Sequence, residues 1–123
     1  GGVANLDGCN VYSNEAYTGA GLYVGWGGEA NLDGCQVYDN QAEFAAGLYV
    51  AYAGEANLNG CQVYENQATG GYGGGLYISG TATLIDMAIY QNVAPGSTGG
   101  GLFVANGGVA NLDGCNVFSN EAQ

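Results

Sequence analysis

The sequence predicts an all-β solenoid of parallel strands, with three short strands per coil and about 26 residues per coil. Three observations carry this. A pattern of eleven residues occurs five times, at Asn5 to Glu15, Asn31 to Gln41, Asn57 to Gln67, Thr83 to Val93 and Asn111 to Glu121. Its leucines, Leu6, Leu32, Leu58, Leu84 and Leu112, follow one another at intervals of 26, 26, 26 and 28. Between the copies, apolar residues alternate with polar ones and Gly or Asn clusters break the chain every few residues, with no helical stripe. A unit this small cannot bury its own apolar face, so each coil must borrow its neighbours, and the chain is one segment, 1–123, of about 4.5 coils.

In chain order, the first coil is expected to place strands at Ala4 to Asp7, Cys9 to Tyr12 and Gly21 to Gly25, each recurring one coil on. Stacked copies pair in parallel at about 4.8 Å, so equivalent side chains form files. The alternation turns four files inward: Leu6, Leu32, Leu58, Leu84 and Leu112; Val11, Val37, Val63, Ile89 and Val117; Leu22, Leu48, Leu76 and Leu102; Val24, Val50, Ile78 and Val104. Their neighbours point outward, as two aromatic files: Tyr12, Tyr38, Tyr64, Tyr90 and Phe118, and Tyr23, Tyr49, Tyr77 and Phe103. Two segments, 67–73 and 93–99, are each two residues longer than their equivalents, and the turn at Ser79 to Thr81 is two residues shorter. Residues 107–123 match residues 1–17 at fifteen of seventeen positions, which points to a window of a longer array with a period of 106.

The files carry the candidate chemistry. Asn14, Asn40, Asn66, Asn92 and Asn120 stand at a turn in every copy. They are expected to form an amide ladder, bonded to one another and to the turn backbone. Cys9, Cys35, Cys61 and Cys115, with Met87 in the fourth rung, suit a disulfide staple, a soft-metal site or plain core packing. Met in the series and the lack of paired Cys or His in one loop favour packing. Asp7 over Asp33, Glu29 over Glu55 and Asp39 over Glu65 bring carboxylates together. Ca²⁺ would relieve that repulsion. Interruptions at Asn59 and Thr81 favour solvated carboxylates and no cofactor. Thr69, Ser97 and Thr98 in the longer segments are candidate acceptors for O-linked sugar.

Charge excludes whole classes of partner. There is no Lys, Arg or His against eleven Asp and Glu, a formal charge of −11. Phosphate backbones and anionic membrane surfaces would be repelled, so nucleic acid and membrane insertion are not expected. Acid–base catalysis would lack three of its usual residue types. The absence of sites for trypsin-like proteases suits a protein outside the cell.

A leucine-rich repeat also fits the stretch from Leu6 to Ala16. The Gly-rich second half of each unit, which alternates like a strand, argues against the convex helix of that fold. That half reads Gly19 to Val24, Ala45 to Val50, Gly73 to Ile78 and Gly99 to Val104, and the turns read Val11 to Asn14, Val37 to Asn40, Val63 to Asn66, Ile89 to Asn92 and Val117 to Asn120. On these motifs the chain resembles the right-handed parallel β-helix repeats of bacterial surface proteins, of the polymorphic outer-membrane protein type. A β-branched residue replaces the Phe of that family's turn. The resemblance implies a parallel β-helix and a surface-exposed or secreted, commonly adhesive, protein. Two functions follow as expectations: a structural segment of an extracellular fibre or stalk that associates end to end or laterally, or an adhesin stalk that binds glycans along an aromatic file.

Overall fold

A computed structural model of the chain describes residues 1–122. The first coil holds β1 (Val3–Asp7), β2 (Asn10–Tyr12), β3 (Glu15–Thr18) and β4 (Leu22–Val24). The second holds β5 (Glu29–Asp33), β6 (Gln36–Tyr38), β7 (Gln41–Phe44) and β8 (Leu48–Val50), and the third β9 (Glu55–Asn59), β10 (Gln62–Tyr64), β11 (Gln67–Ala68) and β12 (Leu76–Ile78). The fourth holds β13 (Thr81–Ile85), β14 (Ala88–Tyr90), β15 (Val93–Ala94) and β16 (Leu102–Val104), and β17 (Val109–Asp113), β18 (Asn116–Phe118) and β19 (Glu121–Ala122) begin a fifth. Each strand pairs in parallel with its equivalent one coil away, giving four sheets. Leu6 pairs with Leu32, Leu32 with Leu58, Leu58 with Leu84 and Leu84 with Leu112, so the register expected from the leucine spacing is the register found.

Four strands per coil, not three, is a correction. The strand that the sequence reading lacks is β3 and its equivalents. It turns only Ala inward: Ala42, Ala68 and Ala94 are buried and pack with Ala20 and Ala46 in a separate small core. Flanked by Asn and Gly, a short segment with Ala as its apolar residue carries the composition of a turn. The backbone explains why a four-sided coil results. One residue in the left-handed region turns each corner: Gly8 (φ 59°) after β1, Ser13 (φ 54°) after β2, Gly19 (φ 62°) after β3 and Gly27 (φ 68°) after β4. The first corner recurs as Gly34, Gly60, Asp86 and Gly114, the second as Asp39, Glu65, Gln91 and Ser119. A single left-handed residue reverses the local twist and sends the next strand off at an angle.

The main core is the set of four inward files. In the central coils Leu32, Leu48, Leu58, Leu76, Leu84, Val37, Val63, Ile78 and Ile89 are buried within one continuous cluster. Each buried Leu or Val contributes roughly 1.5–3 kcal/mol over leaving it exposed. The extra length of the third and fourth coils falls between β11 and β12 and between β15 and β16, and the short turn falls between β12 and β13. Insertions therefore project sideways from the third sheet's corner and leave the ladder pairing intact.

Candidate functional site

Inside the second corner the Asn file forms a continuous hydrogen-bonded column. Asn40 Nδ2 donates to Asn66 Oδ1 (2.9 Å) and to the Val11 carbonyl (3.1 Å), while the Asn40 backbone N–H donates to the same Asn66 Oδ1 (3.1 Å). Asn66 repeats this toward Asn92 and Val37, and Asn92 toward Asn120 and Val63. Asn14 donates from Nδ2 to Asn40 Oδ1 (2.9 Å). Asn40, Asn66 and Asn92 are fully buried, and among the described residues no buried side-chain N or O lacks a partner. Each amide thus uses both donors and both acceptor positions, the condition under which a buried polar group does not destabilise.

The thiols face the core. Cys35, Cys61 and Met87 are buried, Cys9 and Cys115 half-buried, and none of the four Cys is in a disulfide. Cys35 Sγ donates to the Leu6 carbonyl and Cys61 Sγ to the Leu32 carbonyl (3.4 and 3.5 Å). Burial pushes the Cys61 thiol up from its ordinary range. Thiolate chemistry is suppressed there. Native protein treated with a thiol-disulfide reagent is expected to label at Cys9 and Cys115 well before Cys35 and Cys61. Equal labelling rates at all four would contradict a closed core.

Outside, the aromatic files stack. Tyr12, Tyr38, Tyr64, Tyr90 and Phe118 have successive centroid separations of 5.1, 4.9, 5.0 and 5.2 Å, with planes within 10° of parallel. Tyr64 and Tyr90 hydroxyls donate to Gln36 and Gln62 Oε1 one coil back. Tyr23, Tyr49, Tyr77 and Phe103 stack at 5.1, 5.1 and 5.2 Å with planes tilted by 27–30°. Desolvation chiefly, and then the neighbouring phenols, push Tyr64 and Tyr77 above the ordinary phenol value. The faces of these rings are turned to one another; their edges and hydroxyls face out.

Two further arrangements are present. On the outer face of the first sheet, Asn57 Nδ2 donates to Asn31 Oδ1 (2.9 Å) and Asn31 Nδ2 to Asn5 Oδ1 (3.0 Å). This second amide column runs opposite in sense to the buried one. With Asp7, Asp33, Asn59, Thr83 and Ile85 it lines an open groove of 380 Å³. The recurrence of Asn at 5, 31, 57 and 111 was the available signal, overshadowed by the Asn that follows every turn. Asp7 and Asp33 are backbone partners in register, as are Glu29 and Glu55, while Ser13 Oγ donates to Asp39 (2.9 Å). Among the described residues no three of Cys, Asp and Glu gather as metal ligands would. Thr69 and Thr98 are exposed and Ser97 half-buried; the Thr69 hydroxyl already donates to the Ala42 carbonyl.

Stacked parallel strands, left-handed residues at most corners and files of like residues define the architecture, and a family model described as a right-handed β-helix region matches residues 1–123. The chain belongs to the right-handed β-helix family. Comparison with curated proteins and with solved structures found no match. Membership establishes a structural repeat fold; β-helices carry enzymes as well as scaffolds, so function has to come from this chain's own residues.

Proposed function

We propose that this β-helix is a non-catalytic structural segment of an extracellular fibre, filament or cell-surface stalk. The observation that carries the reading is the pairing of like with like along every sheet: Asn over Asn, Tyr over Tyr, Leu over Leu. Such repetition distributes axial load over equivalent hydrogen bonds. Catalysis instead needs unlike groups converging on one point with a proton acceptor near neutral pH. Here the clearly displaced groups, Cys61, Tyr64 and Tyr77, move further above neutrality. The recurrence of residues 1–17 at 107–123, identical at fifteen of seventeen positions, repeats in the fifth coil nearly the same side chains by which the first coil pairs with the second. That supports growth along the axis, and the outward phenol edges support lateral contact. The acidic, cation-free composition supports an extracellular setting.

Glycan binding along Tyr23, Tyr49 and Tyr77 is the second reading, favoured by the exposure of Tyr23. It is the weaker one, because a sugar ring stacks on a free aromatic face and these faces cover one another. Electron microscopy of the native assembly is expected to show filaments of uniform width without added ligand. A dispersed monomer that binds a glycan array, and loses that binding when Tyr23, Tyr49 and Tyr77 are replaced by Ser, would overturn the structural reading in favour of the adhesin.

A further inference from the structure

Charge is placed unevenly around the coil. Of the eleven acids, Asp7, Glu29, Asp33, Glu55 and Asp113 lie on the first sheet, Glu15, Glu43 and Glu121 on the third, and Asp39, Glu65 and Asp86 at corners. The second and fourth sheets carry none. The fourth is not flat, because Tyr72, from the longer segment of the third coil, leans on its aromatic file 4.9 Å from Phe103. The second is flat and stiff. Its rings keep their planes within 10° of parallel from rung to rung, and the Tyr64 and Tyr90 hydroxyls are braced on Gln36 and Gln62. Beside the Tyr12 file, two residues earlier in each strand, runs a file of the shorter side chains Asn10, Gln36, Gln62, Ala88 and Asn116. A ridge of ring edges thus stands along a lower, uncharged step, on a molecule of net charge −11.

On the structural reading of the chain as a fibre segment, on which this rests, we propose that the second sheet's outer face pairs with the same face of a second copy, the two coils side by side and parallel. A two-fold axis along the coils makes the facing strands antiparallel, so each tyrosine file lies over the partner copy's Asn, Gln and Ala file and ridge fills step. Ring edges and hydroxyls make this contact, and it needs no open ring face. Reversing one coil would set tyrosine ridge on tyrosine ridge. The corners choose the same arrangement. At the second rung the strand and its corners run from Gly34 to Asp39, at the third from Gly60 to Glu65 and at the fourth from Asp86 to Gln91. Parallel pairing sets each acid against an uncharged corner residue of the other copy: Asp39 on Gly34, Glu65 on Gly60 and Asp86 on Gln91. The reversed pairing brings Glu65 against Glu65. In a chain without cations, the arrangement that keeps carboxylates apart is favoured. Five rungs at about 4.8 Å by roughly 17 Å of strand cover about 800 Å² over both copies, the range of weak, reversible interfaces.

Sedimentation velocity of the intact chain is the test, since face-to-face pairing closes at two copies whereas axial growth is open-ended. A reversible dimer is expected, strengthening several-fold as NaCl rises from about 0.02 to about 0.5 M, because screening weakens the repulsion between two acidic copies. Gly60 reads the orientation. Its φ of 61° is left-handed and nothing lies within 4 Å of a Cβ, so Lys and Asp both fit there. Facing Glu65 of the other copy, Gly60→Lys is expected to dimerise about tenfold more tightly than Gly60→Asp in about 0.15 M salt. Gly96, equally left-handed and open but in the segment between β15 and β16, is the control for net charge: Gly96→Lys and Gly96→Asp should differ by less than about twofold. Tyr64→Ser should lose the dimer, and Tyr23→Ser, on the fourth sheet, should keep it. A monomer up to about 0.5 mM, a dimer that weakens with salt, Gly60→Lys and Gly60→Asp both weaker than the parent as the reversed pairing requires, or an equal split at Gly96 would each overturn the proposal. Filaments one coil wide, in which the two Gly60 variants associate alike, would overturn it and leave the structural reading standing. A closed dimer that binds a glycan array and forms no filaments would uphold the pairing and overturn the structural reading.

Discussion

Replacing Asn66 with Ala is expected to destabilise the β-helix by about 4 kcal/mol, because two buried donors lose their acceptor, at roughly 1–3 kcal/mol each, and three acceptors lose a donor. The donors are the Asn40 backbone N–H and one Asn40 Nδ2 hydrogen; the acceptors are the Val37 and Tyr64 carbonyls and Asn92 Oδ1, the last of which keeps the backbone N–H of residue 66. The rung is closed to bulk solvent. Asn14→Ala should cost about 1 kcal/mol, since Asn14 is exposed and water can satisfy the Asn40 oxygen it leaves. Asn66→Asp makes the sharper comparison. The carboxylate can still accept from Asn40, but its other oxygen meets Asn92 Oδ1 and the Val37 carbonyl, where the amide had donated. Burial, with Asn92 Oδ1 and the Val37 carbonyl facing the second oxygen, raises the carboxyl's folded-state pKa above its unfolded value of about 4. The variant should be less stable than Asn66→Ala at neutral pH. It should recover progressively as pH falls, with full relief below about pH 4, where the protonated acid donates to Asn92. Chemical denaturation at several pH values measures all three. A pH-independent Asn66→Asp, or an Asn66→Ala no worse than Asn14→Ala, would mean that the column is not what holds the corner.

Large side chains make most of the coil legible in the sequence. The Leu and Val files set period, register and inward face because a one-residue slip would turn every one of them to solvent. The Tyr files followed from the same alternation. The third sheet was hidden because Ala16, Ala42, Ala68 and Ala94 bury so little that their segment reads as part of the turn. The corners were half visible. Gly8, Gly34 and Gly60 announce a left-handed residue, whereas Ser13, Asp39, Glu65 and Gln91 adopt the same conformation without announcing it, and only the Asn after each marks the place. The match of Phe44 with Tyr72 lay furthest from reach, because the longer segment between β11 and β12 separates them. Phe44 and Tyr72 are 28 positions apart instead of 26, and only the folded loop shows that they belong to one file.

Gly75→Ala is expected to cost about 3 kcal/mol, although it adds one methyl group at an unremarkable backbone angle. A Cβ there would strike the Gly101 carbonyl oxygen of the next coil and lie 3.0 Å from Asn92 Nδ2. Gly21, Gly47 and Gly101 repeat the same crowding against the rung beyond, so this glycine file is the space in which the Asn column stands. The neighbouring backbone cannot retreat without breaking Gly75 N–H to the Gly100 carbonyl and Leu76 N–H to the Gly101 carbonyl, both 2.9 Å. Gly60→Asp supplies the control. Gly60 has a left-handed φ of 61° but nothing within 4 Å of a Cβ, and the equivalent position in the fourth coil is already Asp86 at φ 51°. Its cost should be about 1 kcal/mol, that of holding a non-Gly residue in the left-handed region. Because each coil contacts only its neighbours, the Gly75→Ala defect weakens one junction, between the third and fourth coils. Amide hydrogen exchange should therefore accelerate most at Gly75 and Leu76 and least in the first coil. Uniform acceleration along the chain, or a Gly60→Asp variant as damaged as Gly75→Ala, would show that backbone conformation, not the closeness of the stacked coils, limits stability at these glycines.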